Sequence, residues 1–126
     1  MQPSSDTVKE QVIALAKRWV DEKPVYIDTE TTGLEKNDEV VEISIVDFDG
    51  SLLFSSLIKP SRAIPDEAQR IHGITNEMVS SKPGWPILWP TIRNFLYGRT
   101  IAAYNTPFDL RMMEQSHTRY RLPWRE

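Results

Sequence analysis

Two carboxylates, Asp28 and Glu30, stand two residues apart in the stretch VYIDTETTG, directly after an apolar run. Residues i and i+2 of a strand project from the same face, so a strand continued through this stretch would place both carboxylates side by side. Like charges at such a distance repel, and burial disfavours each one further. A divalent cation removes both problems, and oxygen ligands without cysteine or nearby histidine favour Mg²⁺ or Mn²⁺. On the pair alone, however, an acidic solvated turn at a strand end is the commoner explanation.

A third carboxylate, Asp109, follows the apolar run IAAYN and lies in the first turn of the helix predicted for TPFDLRMMEQSHTRY. A negative charge is favourable there because of the helix dipole. If IAAY lies beside VYID in a sheet, Asp109 approaches Asp28 at the carboxyl ends of the strands, where ligands bind in open α/β sheets. Taken by itself, Asp109 is better explained as a solvated acid at a helix N-terminus.

The histidines and tryptophans have less specific patterns. His72, in RIHGI, is expected at a helix end packed on the core more readily than as a metal ligand. His117, late in the last predicted helix, is expected on the surface. Trp85, Trp89 and Trp124 are expected in the core or at its rim, and not as platforms for stacked bases.

The elements that position these residues follow from periodicity and turn signals. An N-terminal amphipathic helix is predicted over residues 1–23, with a capping box of Thr7 and Glu10 and an end at Pro24. VYID is predicted as the first strand. VVEISIVDF and SLLFSSLIK, which an Asp-Gly pair separates, are predicted as an antiparallel hairpin with strands near residues 40–48 and 51–59.

The second half of the chain is predicted to alternate between helices and one strand. IPDEAQRIHG predicts a short helix that ends at Gly73, and PILWPTIRNFLYG predicts a helix that begins near Trp89 or kinks at Pro90. TIAAYN predicts a fourth strand, and the helix after it would use Thr106 as N-cap and Pro107 as first residue. The fold class is therefore α/β, a mixed sheet flanked by helices, with the main domain over residues 24–126. The chain stops where a further strand and helix would be expected to complete the sheet.

Composition limits the classes of function. The 126 residues carry a net charge of −3, so general coating of duplex DNA is disfavoured and nucleic acid would have to be held at a local site. There is no cysteine, which excludes disulfides and thiolate metal sites. No apolar run is long enough for a membrane span, and the N-terminus lacks the apolar region of a secretory signal, so the cytoplasm is the expected compartment.

Four segments in order, YIDTETTGL, VVEISIVDFDG, IPDEAQRIHGIT and IAAYNTPFDLRMM, resemble the DEDDh 3′–5′ exonucleases, especially the DNA polymerase III epsilon subunit and its free-standing homologues. The resemblance covers roughly residues 24–119. It implies an RNase H-like fold and a site of four acids and a histidine around two divalent ions, Mg²⁺ or Mn²⁺. It also implies proofreading-type release of nucleoside 5′-monophosphates from single-stranded or mismatched DNA 3′ ends, with a polymerase catalytic subunit as a possible partner. RNA trimming is an alternative, since the first motif does not separate ribose from deoxyribose.

The resemblance implies two sets of site residues. The catalytic and metal-binding set is Asp28, Glu30 and Asp109. The substrate-binding set is Thr31, Glu67, His72 and Asn105.

The third family motif, a histidine followed five residues later by aspartate, is missing. His117 is followed at that spacing by Leu122, and no aspartate follows Asp109. Either the chain is a truncated piece of a longer enzyme, weakly active or inactive by itself, or it is a non-catalytic module that binds a polymerase, a helicase or nucleic acid. Truncation is favoured because the three acids and their flanks are intact, and the reading frame after Glu126 would decide between the two.

Overall fold

The computed structural model describes residues 23–124. The helix predicted over residues 1–23 lies outside the described residues, except for Lys23. Four strands are present in the described part of the chain: β1 Val25–Thr31, β2 Val40–Val46, β3 Leu52–Leu57 and β4 Ile101–Ala102. They form one sheet of order β3-β2-β1-β4, antiparallel except for the parallel β1–β4 pair. The predicted mixed sheet and the predicted hairpin are confirmed, and a further strand and helix stay a prediction.

The helices of the described region are α1 Asp66–His72, α2 Asn76–Val79, α3 Trp85–Leu96 and α4 Thr106–Arg119. As predicted, α1 ends at Gly73, whose φ of 76° is the left-handed conformation that glycine adopts without strain. Of the two alternatives for α3, a start near Trp89 is wrong, because the helix starts at Trp85 and runs through Pro90, and a kink at Pro90 stays a prediction. Pro90 lies on the exposed side of the helix. Proline has no N–H to donate to the carbonyl one turn earlier, and water can donate to that carbonyl instead.

The start of α4 also differs from the prediction. Asn105 is the N-cap, and its side chain accepts a hydrogen bond from the Phe108 N–H at 3.4 Å. Thr106, predicted as the cap, instead accepts from the Ala103 N–H at 3.1 Å. Because residues 103–105 turn into this cap, β4 has two residues and not the six predicted.

The main core packs the sheet against α3 and α4, and a smaller cluster holds α1 and α2. His117 belongs to this core with 1% of its surface exposed, so its predicted surface position is wrong. It follows Met113 by four residues and therefore shares the buried face of α4. The tryptophan prediction is confirmed, since Trp85 is buried and Trp89 and Trp124 pack half-buried on this core. No helix within residues 23–124 is long and apolar enough to span a membrane.

Candidate active site

Asp28 and Glu30 lie within β1, on the face opposite to three buried neighbours. Ile27, Thr29 and Thr31 are buried, whereas Asp28 is exposed and Glu30 is half-buried. This alternation places the two carboxylates on one face, as the i, i+2 spacing predicted. The alternative of a turn at a strand end does not fit, because β1 continues through both residues.

A further carboxylate, which the sequence reasoning missed, lies on the neighbouring strand. The antiparallel register of β1 and β2 pairs Glu30 with Glu42 and Asp28 with Ser44. Burial raises the pKa of Glu30, and the charges of Asp28, Glu42 and Asp109 raise it further, while His72 acts in the opposite direction. Glu42 is the single acid in the β-branched run VVEISIV, and this made it recognisable in the sequence. Nothing in the sequence, however, predicts which residue of β1 lies opposite to it.

Asp109 lies in the first turn of α4 and is only 7% exposed. Because β4 pairs in parallel with β1, α4 begins beside the carboxyl end of β1. The Thr29 hydroxyl donates a hydrogen bond to Oδ1 of Asp109. Burial raises the pKa of Asp109, as does the charge of Asp28, whereas the Thr29 bond lowers it. Thr29 is a second residue that the sequence reasoning missed. Because it stands between two acids that face outward from the strand, its own side chain is predicted to face inward.

The three predicted carboxylates influence one another electrostatically but do not form a closed cluster. Within residues 23–124 no group of three or more histidine, aspartate or glutamate side chains is close enough to hold a metal ion. Asp109 bonds Thr29, whose side chain projects from the face of β1 opposite to Asp28 and Glu30. The donor chemistry fits Mg²⁺ or Mn²⁺, which prefer carboxylate oxygens.

A cleft of about 410 Å³ opens beside the end of β1 and is lined by Glu30, Thr31, Glu67 and His72, among others. The Ile74 N–H donates to Nδ1 of His72 at 3.0 Å, which leaves the ring proton on Nε2. Nε2 lies 3.0 Å from the Thr31 carbonyl and donates to it. Three of the four predicted substrate-binding residues therefore share this cleft. The fourth, Asn105, caps α4 and is not part of its lining.

The far wall of the cleft is the loop over residues 32–39. The Thr32 hydroxyl and the Glu35 N–H donate to the two carboxylate oxygens of Asp38, at 2.7 and 2.8 Å. A Cβ atom at Gly33 would lie 2.5 Å from Oδ2 of Asp38, so a side chain at this position would have to displace the Asp38 carboxylate. Gln115 of α4 donates to the carbonyls of Glu35 and Asp38 at 2.9 and 3.0 Å. The loop is thus held by hydrogen bonds within itself and by hydrogen bonds to α4, the helix that carries Asp109.

Comparison with known proteins gives this site its context. The model of the RNase T family, described as exonuclease, matches residues 25–124. The chain belongs to this exonuclease family. The exonuclease CP81 of Escherichia phage 186, itself uncharacterized, is 38% identical over 107 residues, which are 85% of this chain and 55% of that protein. The DNA polymerase III epsilon subunit of Treponema pallidum is 38% identical over 90 residues, which are 68% of this chain and 42% of the subunit.

Solved structures of exonucleases share the fold. Exonuclease X, solved in complex with 5′ overhanging duplex DNA, is 39% identical with a TM-score of 0.59, and covers 71% of this chain and 52% of that one. The nuclease domain of 3′hExo, a DEDDh family member, has a TM-score of 0.65 at 16% identity over 81% of this chain and 61% of that one, and supports the fold alone. The resemblance to DEDDh exonucleases and the RNase H-like fold are therefore confirmed. This member of the exonuclease family spans about half the length of the curated relatives it matches.

Proposed function

We propose that this chain provides the metal-binding and nucleotide-binding part of a 3′–5′ exonuclease that releases nucleoside 5′-monophosphates from DNA 3′ ends. The observation that carries the proposal is the placement of Asp109 beside the strand that holds Asp28 and Glu30, in a chain of the exonuclease family. The DNA-bound form of a relative 39% identical to the chain supports DNA as the substrate class. The epsilon-subunit relatives support a polymerase catalytic subunit as a partner.

The residues proposed to hold two Mg²⁺ or Mn²⁺ ions are Asp28, Glu30 and Asp109. Such ions, when bound, supply a nucleophilic water at neutral pH and stabilise the leaving 3′ oxygen. The chain's own contribution is to place Glu30 and Asp109 where burial raises the pKa of each carboxyl group and the charge of Asp28 raises it further. A bound cation would offset this repulsion, which is the physical reason for a cation to bind here.

The cleft is proposed to receive the 3′-terminal nucleotide, with Thr31, Glu67 and His72 against it. The bond from His72 to the Thr31 carbonyl fixes the end of β1 relative to α1, so the cleft has a defined width. Asn105 would act by fixing the start of α4, and therefore the position of Asp109.

A non-catalytic module is the second candidate. It is favoured by the position of Asp109, which bonds Thr29 on the face of β1 opposite to Asp28 and Glu30. Such a module would bind a 3′ end, a polymerase or a helicase without cleavage.

The test is to incubate a 5′-labelled oligonucleotide with Mn²⁺ and either the chain or a version extended by the downstream reading frame. We expect little shortening by the chain and stepwise 3′ shortening by the extended version, abolished in Asp28→Asn. An extended version that binds the oligonucleotide but releases no mononucleotide would reject the enzyme and leave the binding module.

A further inference from the structure

The lining of the cleft beside β1 is acidic. Within the described part of the chain, the lining contains neither lysine nor arginine but four carboxylates, those of Glu30, Glu35, Asp38 and Glu67. Divalent ions would offset this charge only where they bind, whereas every nucleotide of a bound strand carries a phosphate. Because the chain has a net charge of −3, the other phosphates of a strand would need a local group of basic side chains outside the cleft.

Three basic side chains meet on the loop that forms the far wall of the cleft. Lys36 and its neighbour Asn37 are exposed members of this loop, and neither lines the cleft. Nη2 of Arg62 donates to the Asn37 carbonyl at 2.7 Å. Nε of Arg119 donates at 2.7 Å to the hydroxyl of Ser61, which immediately precedes Arg62. These two bonds bring Lys36, Arg62 and Arg119 together as one basic patch.

A buried acid fixes the backbone beneath the basic patch. Glu39 is 2% exposed, and its carboxylate accepts from the N–H and the hydroxyl of Ser61, at 3.0 and 2.7 Å. The Ser61 hydroxyl therefore gives its proton to Glu39 and accepts from Arg119. The Glu39 N–H donates to the Thr32 hydroxyl at 3.0 Å, at the base of the loop. The basic patch is thus held in a fixed position relative to the wall of the cleft.

Neither arginine of the basic patch is neutralised by a carboxylate of the described region. Within residues 23–124 the ion pair joins Arg99 to Asp47, whereas Arg62 and Arg119 bond to a carbonyl and to a hydroxyl. Both arginines are exposed, and each bond uses one of the five N–H donors of a guanidinium group. An oriented guanidinium group that keeps donors toward solvent suits phosphate, because it can bind two oxygens with parallel hydrogen bonds.

The wall of the cleft therefore separates charges of opposite sign. Glu35 and Asp38 line the cleft, whereas Lys36, between them in the loop, belongs to the basic patch. We propose that the basic patch binds the phosphate backbone of a nucleic-acid strand whose 3′-terminal nucleotide occupies the cleft. The inference rests on the proposed function, because it requires a strand held by its 3′ end. Contacts of this kind position a strand without reading its sequence.

Two ligands of different length test the proposal. Thymidine 5′-monophosphate can occupy the cleft alone, whereas a fluorescent oligothymidylate of about 20 nucleotides extends beyond it. Each is titrated with the full chain in Mn²⁺ at several salt concentrations. Arg62→Gln combined with Arg119→Gln should leave the affinity for the monophosphate unchanged and weaken oligonucleotide binding about tenfold. The slope of log affinity against log salt should become shallower by about 1.4, because each lost phosphate contact removes about 0.7 from it for single strands.

Three further variants separate charge at the basic patch from other effects. Arg62→Lys combined with Arg119→Lys keeps both charges and should keep the salt slope of the parent. Lys36 forms no side-chain hydrogen bond within residues 23–124, so Lys36→Gln should reduce the slope by about 0.7 without disturbing the fold. Arg93→Gln removes an exposed charge from α3, outside the cleft lining, and should leave the slope unchanged.

The outcomes distinguish this proposal from the proposed function. If the parent binds both ligands and the double glutamine variant binds the oligonucleotide equally well, the basic patch is rejected and the proposed function remains. If Arg93→Gln weakens oligonucleotide binding as much as Lys36→Gln does, net charge accounts for the effect and the basic patch is again rejected. A parent that binds neither ligand would reject the proposed function and this inference with it.

Discussion

The indole N–H of Trp85 donates a hydrogen bond to Nδ1 of His117, at 3.0 Å, inside the core. The Met113 carbonyl lies 3.1 Å from the same nitrogen, so Nδ1 cannot satisfy both neighbours at once. When Nδ1 accepts from Trp85, the ring proton is on Nε2, which is buried and has no hydrogen-bond partner within the described residues. The rings of Trp89 and Trp124 enclose this histidine edge-on, with centroids 4.3 and 4.8 Å from its own. The site therefore favours a neutral ring.

The first prediction concerns stability against pH. Burial lowers the pKa of His117 in the folded protein, so the unfolded chain binds the proton more readily. The free energy of unfolding should therefore fall as pH drops below the ordinary histidine pKa of about 6.5. His117→Phe, which removes the titrating group, should flatten urea-derived stability between about pH 7 and about pH 5.

The matched control for this prediction is His72→Gln. His72 is half-buried, and the variant keeps His117 and its aromatic neighbours. It measures how much of the pH slope belongs to the other histidine of the chain. Equal slopes for His117→Phe and the parent would show that other groups govern the dependence.

The second prediction concerns Asp109. Its pKa is raised by burial and by Asp28, so its charge destabilises the folded state above that pKa and not at acid pH. Asp109→Asn keeps an oxygen for the Thr29 hydroxyl and removes the charge, so the melting temperature without metal should rise at neutral pH. Because Mn²⁺ binds the folded state, it should raise the melting temperature of the parent, and it should raise that of the variant less.

An Asp66→Asn variant is the control, since Asp66 is an exposed acid in the first turn of α1. Asp66→Asn should not raise the melting temperature at neutral pH and should not weaken the response to Mn²⁺, whereas Asp109→Asn should do both. An Asp109→Asn protein that is less stable than the parent, and still responds fully to Mn²⁺, would contradict the electrostatic account.

Local patterns predicted those parts of the site that depend on local geometry. The shared face of Asp28 and Glu30 followed from strand periodicity, and the approach of Asp109 followed from a strand–helix unit. Glu42 could not be placed, because its pairing with Glu30 depends on the loop over residues 32–39 and on the irregular register at its start. No local pattern sets the register of strands joined through such a loop.

Burial of a polar residue was harder to predict than apolar burial. His117 lies on the same helical face as Met112, Met113 and Ser116, and that spacing alone indicated the core. Its polar ring argued against burial, which becomes acceptable only through the partner Trp85, 32 positions away. The separation of Asp109 from a closed metal cluster likewise depends on a tertiary partner, Thr29, and not on spacing.

The third prediction concerns the glycine at the cleft. Gly33→Ala would drive a methyl group to within 2.5 Å of the Asp38 carboxylate, whose shift would break its bonds to Thr32 and Glu35. We expect a loss of about 1–3 kcal/mol in the free energy of unfolding. In the Asp38→Ala background the clash is gone, so Gly33→Ala should have a much smaller effect there. Additive effects in this double-mutant cycle would reject the contact.

The fourth prediction concerns the attachment of the cleft loop to α4. Gln115 donates to two loop carbonyls, and Gln115→Glu replaces this donor with a charged acceptor facing the same two oxygens. We expect a loss of about 1–2 kcal/mol in the free energy of unfolding, greater than that for Gln115→Ala, which removes the bonds without adding repulsion. Hydrogen exchange should accelerate at the loop amides that include Asp38 and Glu39. The neighbouring exposed variant Glu114→Gln should alter neither quantity, and a Gln115→Glu protein that matches it in both would show that the loop does not depend on this side chain.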